Sequence, residues 1–111
     1  MNKDKLDKLV DEVFDQIGEI KHGDCGKGEY RGYGGLLDKN GNLIGFKLTD
    51  TFYITKYFPL LDMLKNSLDE DSFKYLMNRV GNMLGDLYHT KEPVKYKRQI
   101  YDRFAFTYIK Q

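Results

Sequence analysis

The stretch YGGLLDKNGNLIGFKL, Tyr33 to Leu48, decides the fold because it predicts two β-strands joined by a tight turn. Asn40-Gly41 at its centre is the strongest short hairpin signal, since a type I′ turn needs positive φ at both central residues. With these two residues at the turn, the strands pair Leu37 with Ile44, Gly35 with Phe46 and Tyr33 with Leu48. All six then point to one face of the sheet, which supports both the hairpin and this register.

The segment after the hairpin predicts a third strand and then two helices. TFYITKY, Thr51 to Tyr57, is rich in β-branched and aromatic residues, and apolar side chains alternate with polar ones. Pro59 suits the first turn of a helix. Apolar residues then recur at helical spacing in two runs separated by an acidic turn, Leu60, Leu61, Leu64 and Leu68, followed by Phe73, Leu76, Met77, Val80, Leu84 and Leu87.

The two ends of the chain complete the predicted architecture. At the amino end, Leu6, Leu9, Val10, Val13, Phe14, Ile17 and Ile20 keep the three-four spacing of one amphipathic helix, with Asn2 as its cap. At the carboxyl end, alternation of Phe104, Phe106 and Tyr108 with polar or small residues predicts a closing strand. We therefore expect an α+β fold, with its helices packed on one face of a small antiparallel sheet.

Length and composition limit the possible functions. A chain of 111 residues with 41% hydrophobic and 32% charged residues predicts a single compact domain, 1–111. Apolar runs are too short to span a bilayer, the amino terminus has mixed charge, and a lone cysteine forms no internal disulfide. We therefore expect a cytoplasmic protein without a membrane partner. The oligomeric state is left open.

Charge is distributed unevenly around a net value of +1. Residues 91–111 carry six basic and two acidic side chains, whereas the first 90 residues carry 12 basic and 15 acidic ones. A chain with a net charge near zero, and with an acidic excess over its first 90 residues, is not coated with positive charge for binding a phosphate backbone. Any positively charged partner site is expected near the carboxyl end.

The glycine-rich stretch HGDCGKGEYRGYGG, His22 to Gly35, invites a chemical interpretation. Nucleotide binding would require a strand before the glycines and a helix after them, whereas the predicted order is the reverse. Cys25 with His22 and Asp24 could supply a nucleophile, a base and an orienting acid, which makes a small cysteine-dependent enzyme the third hypothesis. No metal site and no cofactor are expected, because the chain has too few suitable ligands at suitable spacing.

Two segments are candidates for partner binding. Tyr30, Arg31 and Tyr33 lie in the glycine-rich stretch, which serves either as a recognition loop or as a connector, and Tyr and Arg are enriched at binding hot spots. In the carboxyl-terminal segment, aromatic and basic residues are interleaved: Tyr96, Lys97, Arg98, Tyr101 and Arg103. That mixture suits nucleic-acid binding through residues 95–103, and it also suits an edge strand protected by its charges.

The leading functional hypothesis is a small non-enzymatic protein-binding module or inhibitor. The sequence assembles no catalytic set, and its length and its Lys, Asn, Tyr and Ile usage suit an accessory protein of a bacterium or its phage that blocks a host or defence enzyme. The alternative is a nucleic-acid-binding domain that uses the basic, aromatic carboxyl-terminal segment. Neither hypothesis names the partner.

Overall fold

The structure is a computed structural model that describes residues 2–21, 34–90 and 105–109. Along the chain they form α1 (Lys3–Asp15), β1 (Ile17–Lys21), β2 (Gly34–Asp38), β3 (Leu43–Leu48), β4 (Thr51–Ile54), α2 (Pro59–Ser67), α3 (Glu70–Thr90) and β5 (Ala105–Tyr108). The strands make one sheet in the order β1-β2-β3-β4-β5, and the helices lie on one side of it. The expected α+β fold is confirmed.

The sheet is antiparallel except at one pair of described strands. β1, β2, β3 and β4 follow one another in antiparallel fashion, whereas β5 runs parallel to β4. Parallel neighbours need a long crossover connection, and the chain between β4 and β5 includes both α2 and α3. The predicted closing strand is therefore present, and its direction follows from the two helices that precede it.

The first helix ends earlier than its apolar spacing predicted. Helix α1 stops at Asp15, and Ile17 and Ile20 belong to β1. A bulge between Ile17 and Glu19 shifts the pairing with β2, so that both isoleucines face the helices although they are three residues apart. A bulged strand therefore reproduces the spacing of a helix here, which explains the error.

The hairpin is present, but its turn and part of its register differ from the prediction. The backbone N–H of Gly41 donates to the carbonyl of Asp38 at 3.1 Å, Gly41 has φ +84°, and Asn40 has no positive φ, so the turn is not type I′. The loop contains one residue more than expected, as in hairpins with a G1 bulge. Gly35 pairs with Phe46 as predicted, whereas Leu37 pairs with Leu43 instead of Ile44.

The extra residue changes which side chains face the helices. Leu36 and Ile44 belong to the core, whereas Phe46 lies on the other face of the sheet. The expectation that all six hairpin residues share one face is therefore wrong. The predicted partner of Leu48, Tyr33, lies outside the described residues.

The core lies between the helices and the central strands. Phe52 and Ile54 of β4 have no exposed surface, and Phe106 of β5 lies beside Phe52. From the helical side the core receives Val10, Val13 and Phe14 of α1, Leu61 and Leu64 of α2, and Leu76, Val80, Met83 and Leu84 of α3. Each such side chain contributes about 1.5–3 kcal/mol relative to exposure, so β4 is the centre of the hydrophobic stabilisation.

Polar residues cap two of the helices. The predicted cap Asn2 accepts a hydrogen bond from the backbone N–H of Lys5 at 2.9 Å. Asp69 accepts one from the backbone N–H of Ser72 at 2.6 Å, and this bond holds the pKa of Asp69 below its usual value. Each cap satisfies an N–H group that has no partner within the helix.

Gly45 permits the close approach of β3 and β4. A Cβ atom at this position would fall on the carbonyl oxygen of Tyr53, whereas one at Gly41 would meet nothing within 4 Å. Gly45→Ala should therefore lower the free energy of unfolding by about 1–3 kcal/mol, as overpacking does. Gly41→Asn should cost less than about 1 kcal/mol, because Asn accepts the left-handed conformation. Chemical denaturation measures both, and equal losses would contradict this account of Gly45.

Asp38 makes the stability of the hairpin depend on pH. Its carboxylate accepts hydrogen bonds from the backbone N–H groups of Asn42 and Asn40, at 2.9 Å each, and these bonds lower the pKa of Asp38, against a smaller opposing effect of desolvation. A carboxyl whose pKa is lower in the folded state stabilises the fold above its unfolded pKa and loses that contribution as pH falls through the folded pKa.

Asp38→Ala should therefore be less stable than the parent at pH 7, and the difference should shrink as the pH is lowered past the usual pKa of 3.8. Asp38→Asn keeps one acceptor oxygen and removes the titration. The parent's advantage over this variant should also shrink in acid. Thermal melts over a pH series measure both differences, and a pH-independent gap for both variants would show that the charge of Asp38 plays no part.

Candidate functional site: the open face of the sheet

The sheet has a second face, on the side away from the helices. Residues directly opposite one another in adjacent strands share a face, so Phe46 shares one with Tyr53, and Leu48 shares the same face with Thr51. Across the parallel pair, Ala105 lies beside Thr51 and Thr107 beside Tyr53. We call this surface the open face and define it by these residues and Leu43: Leu43, Phe46, Leu48, Thr51, Tyr53, Ala105 and Thr107.

Burial distinguishes the open face from the core face. Phe52, Ile54 and Phe106 are buried in the core cluster, whereas their neighbours along the same strands are only partly covered. Leu43 keeps 47% of its surface exposed. Over β2 this face is not accessible, because Leu37 and Gly35 are buried. Its accessible part therefore lies over β3, β4 and β5.

The open face carries no charged residue, although 32% of the chain is charged. Two charged residues of β1, Glu19 and Lys21, hold register positions on this side, opposite Leu37 and Gly35, but only at the far edge of the sheet. Lys47, the charged residue within β3, pairs with Phe52 and so turns toward the helices. The antiparallel sheets of soluble domains usually direct polar side chains to their solvent face, so an uncharged outer face indicates a surface that another apolar surface can cover.

Two aromatic rings form the centre of the open face. The rings of Phe46 and Tyr53 are stacked, with centroids 5.3 Å apart and planes 25° apart. Tyrosine combines a large apolar surface with a hydroxyl that can bond across an interface, and aromatic residues are enriched in the centres of interfaces. The stacked pair is therefore suited to anchor a partner.

Lys47 and Tyr88 form a contact on the opposite, helix-facing side. The Lys47 ammonium lies 4.6 Å from the centroid of the Tyr88 ring, which in turn meets Phe52 edge-on at 6.4 Å. Burial lowers the pKa of Lys47, and the charge of Asp50 opposes that shift. The contact joins β3 to the last turns of α3, so its clearest role is to hold the helix on the sheet.

A shallow cleft lies between the amino-terminal turns of α1 and α3, lined by Lys3, Leu6, Asp71, Ser72 and Tyr75. The Tyr75 hydroxyl donates to the carboxylate of Asp7 at 2.7 Å, and the Lys3 ammonium lies 5.7 Å from the Tyr75 ring. Burial, reinforced by the bond to Asp7, raises the pKa of Tyr75. Lys3 and Tyr75 are engaged in these two contacts, so the clearest role of the cleft residues is to join the two helices.

The residues that the sequence nominated for binding or chemistry lie outside the described ranges. This applies to Tyr30, Arg31 and Tyr33, to the possible enzyme group His22, Asp24 and Cys25, and to Tyr96, Lys97, Arg98, Tyr101 and Arg103. Their roles stay predictions. In the part of the chain that the structure describes, no cluster of His, Cys, Asp or Glu could hold a metal ion, and no helix is long and apolar enough to cross a membrane.

Sequence reasoning missed the open face because it placed Phe46 on the same face of the hairpin as Ile44, which lies in the core. The alternation of Thr51 and Tyr53 with Phe52 and Ile54 did indicate that β4 has two different faces. The missing information was the register between β3 and β4, which pairs Phe46 with Tyr53. β4 and β5 contain no charged residue and β3 contains only Lys47, so a search for strands poor in charge would have found this surface.

The stacked pair should contribute measurably to stability. A double-mutant cycle with Phe46→Ala and Tyr53→Ala should give a coupling energy of about 0.5–1.5 kcal/mol, which is typical of aromatic pairs. The matched cycle of Phe46→Ala with Met63→Ala, on α2, should give a coupling near zero. Urea denaturation of the variants measures both values, and equal coupling in the two cycles would contradict the stacking.

Comparison with protein-family models, curated proteins and solved structures gives no match. The function is therefore argued from the chemistry of the open face, from the register that creates it and from the charges that surround it.

Proposed function

We propose that this chain is a small non-enzymatic protein-binding module that docks its partner on the open face. The observation that carries the proposal is an uncharged, partly exposed surface over three adjacent strands, centred on Phe46 and Tyr53. Its function is to bind a partner protein. We favour a host or defence enzyme as this partner, with the chain covering part of the enzyme's surface.

Desolvation favours a protein as the occupant of this face. Covering a charged side chain costs free energy unless it is paired, whereas covering Leu43, Phe46 and Tyr53 releases water from apolar surface. The threonines on either side of the aromatic pair supply hydroxyl groups that can bond to a partner. Charge is depleted and aromatic residues are enriched at the cores of protein interfaces, and the open face has both properties.

The alternative, nucleic-acid binding, depends on a different part of the chain. A phosphate backbone is held by Lys and Arg, and the open face offers neither. The alternative therefore rests on residues 95–103, above all Lys97 and Arg98. The enzyme hypothesis likewise rests on Cys25, so neither of them uses the open face.

The first step of the experiment is site-specific photo-crosslinking in the native host. A benzophenone amino acid at Tyr53 should yield a discrete crosslinked protein. The same group at Met63, which is 54% exposed on α2, should not. Because capture alone proves little, the partner identified from the crosslink is then purified in its free form and titrated with the unlabelled chain.

In that titration, Phe46→Ala and Tyr53→Ala should each raise the Kd at least about tenfold, which corresponds to about 1.4 kcal/mol. Met63→Ala should change the Kd less than about twofold. Circular dichroism of each variant verifies that it is folded. Equal losses at Met63 and at Tyr53 would overturn the assignment of the open face.

A gel-shift assay with a labelled single strand tests the alternative. The proposal predicts no shift at about 0.15 M salt, because the acidic excess over the first 90 residues repels phosphates from most of the surface. Micromolar binding that weakens steadily with salt, and whose salt slope falls by about one to two units in the double variant Lys97→Ala with Arg98→Ala, would replace the proposal by the nucleic-acid alternative.

A further inference from the structure

The two edges of the sheet are protected to different degrees. At one edge, β1 carries Glu19 and Lys21 and contains a bulge next to Gly18. At the other edge, β5 has the sequence AFTY, with no charge and no proline, and it pairs with β4 in a regular register. Charges, prolines and bulges are the usual means by which an edge strand avoids pairing with another chain. Strand β5 itself, Ala105–Tyr108, lacks them, since the nearest charges in the sequence are Arg103 and Lys110.

Two residues of β5, Phe106 and Tyr108, direct their backbone groups away from the sheet. The N–H groups of Ala105 and Ile109 donate to Asp50 at 3.0 Å and to Ile54 at 2.8 Å. In a parallel ladder, alternate residues bond to the same neighbour, so the N–H and C=O groups of Phe106 and Tyr108 face the other side. No described strand lies on that side.

The strand is held in a fixed position. Phe106 is 5% exposed in the core, and the Tyr108 hydroxyl accepts a hydrogen bond from the backbone N–H of Phe58 at 3.3 Å. These contacts anchor both residues whose backbone groups point outward. An edge that is already ordered loses little conformational entropy when it pairs.

We propose that β5 pairs antiparallel with β5 of a second copy of this chain. A two-fold axis at Thr107 sets Phe106 opposite Tyr108 of the second copy, so that the outward N–H and C=O groups of both residues are bonded across the axis. Thr107 then faces Thr107 of the second copy, and Ala105 faces Ile109. Every cross-strand pair is uncharged, and threonine and aromatic pairs are among the favourable ones.

A second copy of this chain is the partner that β5 fits best, because with the two-fold axis at Thr107 the strand is complementary to itself. Pairing joins the two sheets edge to edge and makes their open faces continuous. The inference uses the edge of β5 and not the open face, so it does not depend on the proposed function.

Sedimentation over a protein concentration series, together with amide hydrogen exchange by NMR, tests the proposal. The chain should form a dimer as concentration rises. Exchange of the Phe106 and Tyr108 amides should slow at least about tenfold over the same range, while that of the Glu19 amide on the other edge should not change.

Thr107→Lys places two ammonium groups opposite each other across the axis and should raise the dimer dissociation constant at least about tenfold. Thr51→Lys puts the same charge on the same face but on the interior strand β4. It should change the dimer dissociation constant by less than about threefold. Amide spectra verify that both variants are folded. A monomer at all concentrations, or a dimer without slowed exchange at Phe106 and Tyr108, would overturn the proposal, as would a dimer that Thr51→Lys weakens as much as Thr107→Lys.

Discussion

The parallel pairing of β5 with β4 is the interaction on which the rest of the structure depends. It sets Phe106 beside Phe52 under α3, and it joins the last strand of the described chain to the centre of the core. The two helices between these strands form the crossover that parallel pairing requires. Without this pair, β4 would be an edge strand and the core would lose the side that Phe106 closes.

The same pairing gives the sheet its two faces. Each strand alternates, so burying Phe52, Ile54 and Phe106 turns Thr51, Tyr53 and Thr107 outward. Antiparallel pairing of β3 with β4 then adds Phe46 to the outward set and directs Lys47 inward, against Tyr88. The open face and the inward lysine therefore follow from one register.

Local signals were sufficient to predict the helices, the hairpin and the third strand. Asn2 caps α1 through its side chain and Pro59 fixes its own φ at the start of α2, and because both effects are local, the sequence alone reveals them. Strand β1 was not predicted at all, because a bulge gives Ile17 and Ile20 the spacing of a helix. The prediction of a two-residue turn at Asn40-Gly41 was wrong by one residue. Asn-Gly occurs both in two-residue loops and in three-residue loops with a G1 bulge.

The candidate site was harder to predict than the fold. The open face is defined by which residues of β3, β4 and β5 are neighbours, and no single strand contains that information. Alternation in β4 separated Tyr53 from Phe52 correctly, but the irregular pairing between Leu36 and Leu37 turns Ile44 to the core, away from the face of Phe46, and the sequence did not reveal it. Tertiary register, which depends on contacts between distant residues, decides the surface that a partner meets.

The central claim is that the face formed by Phe46, Tyr53 and Thr107 is accessible while the face formed by Phe52, Ile54 and Phe106 is not. Paramagnetic relaxation enhancement of side-chain protons by a soluble gadolinium chelate measures this accessibility directly. The account predicts strong enhancement for the Tyr53 ring and the Thr51 and Thr107 methyl groups, and weak enhancement for Phe52 and Ile54. Equally weak enhancement on both faces would contradict it, because the open face would then be covered within the chain itself.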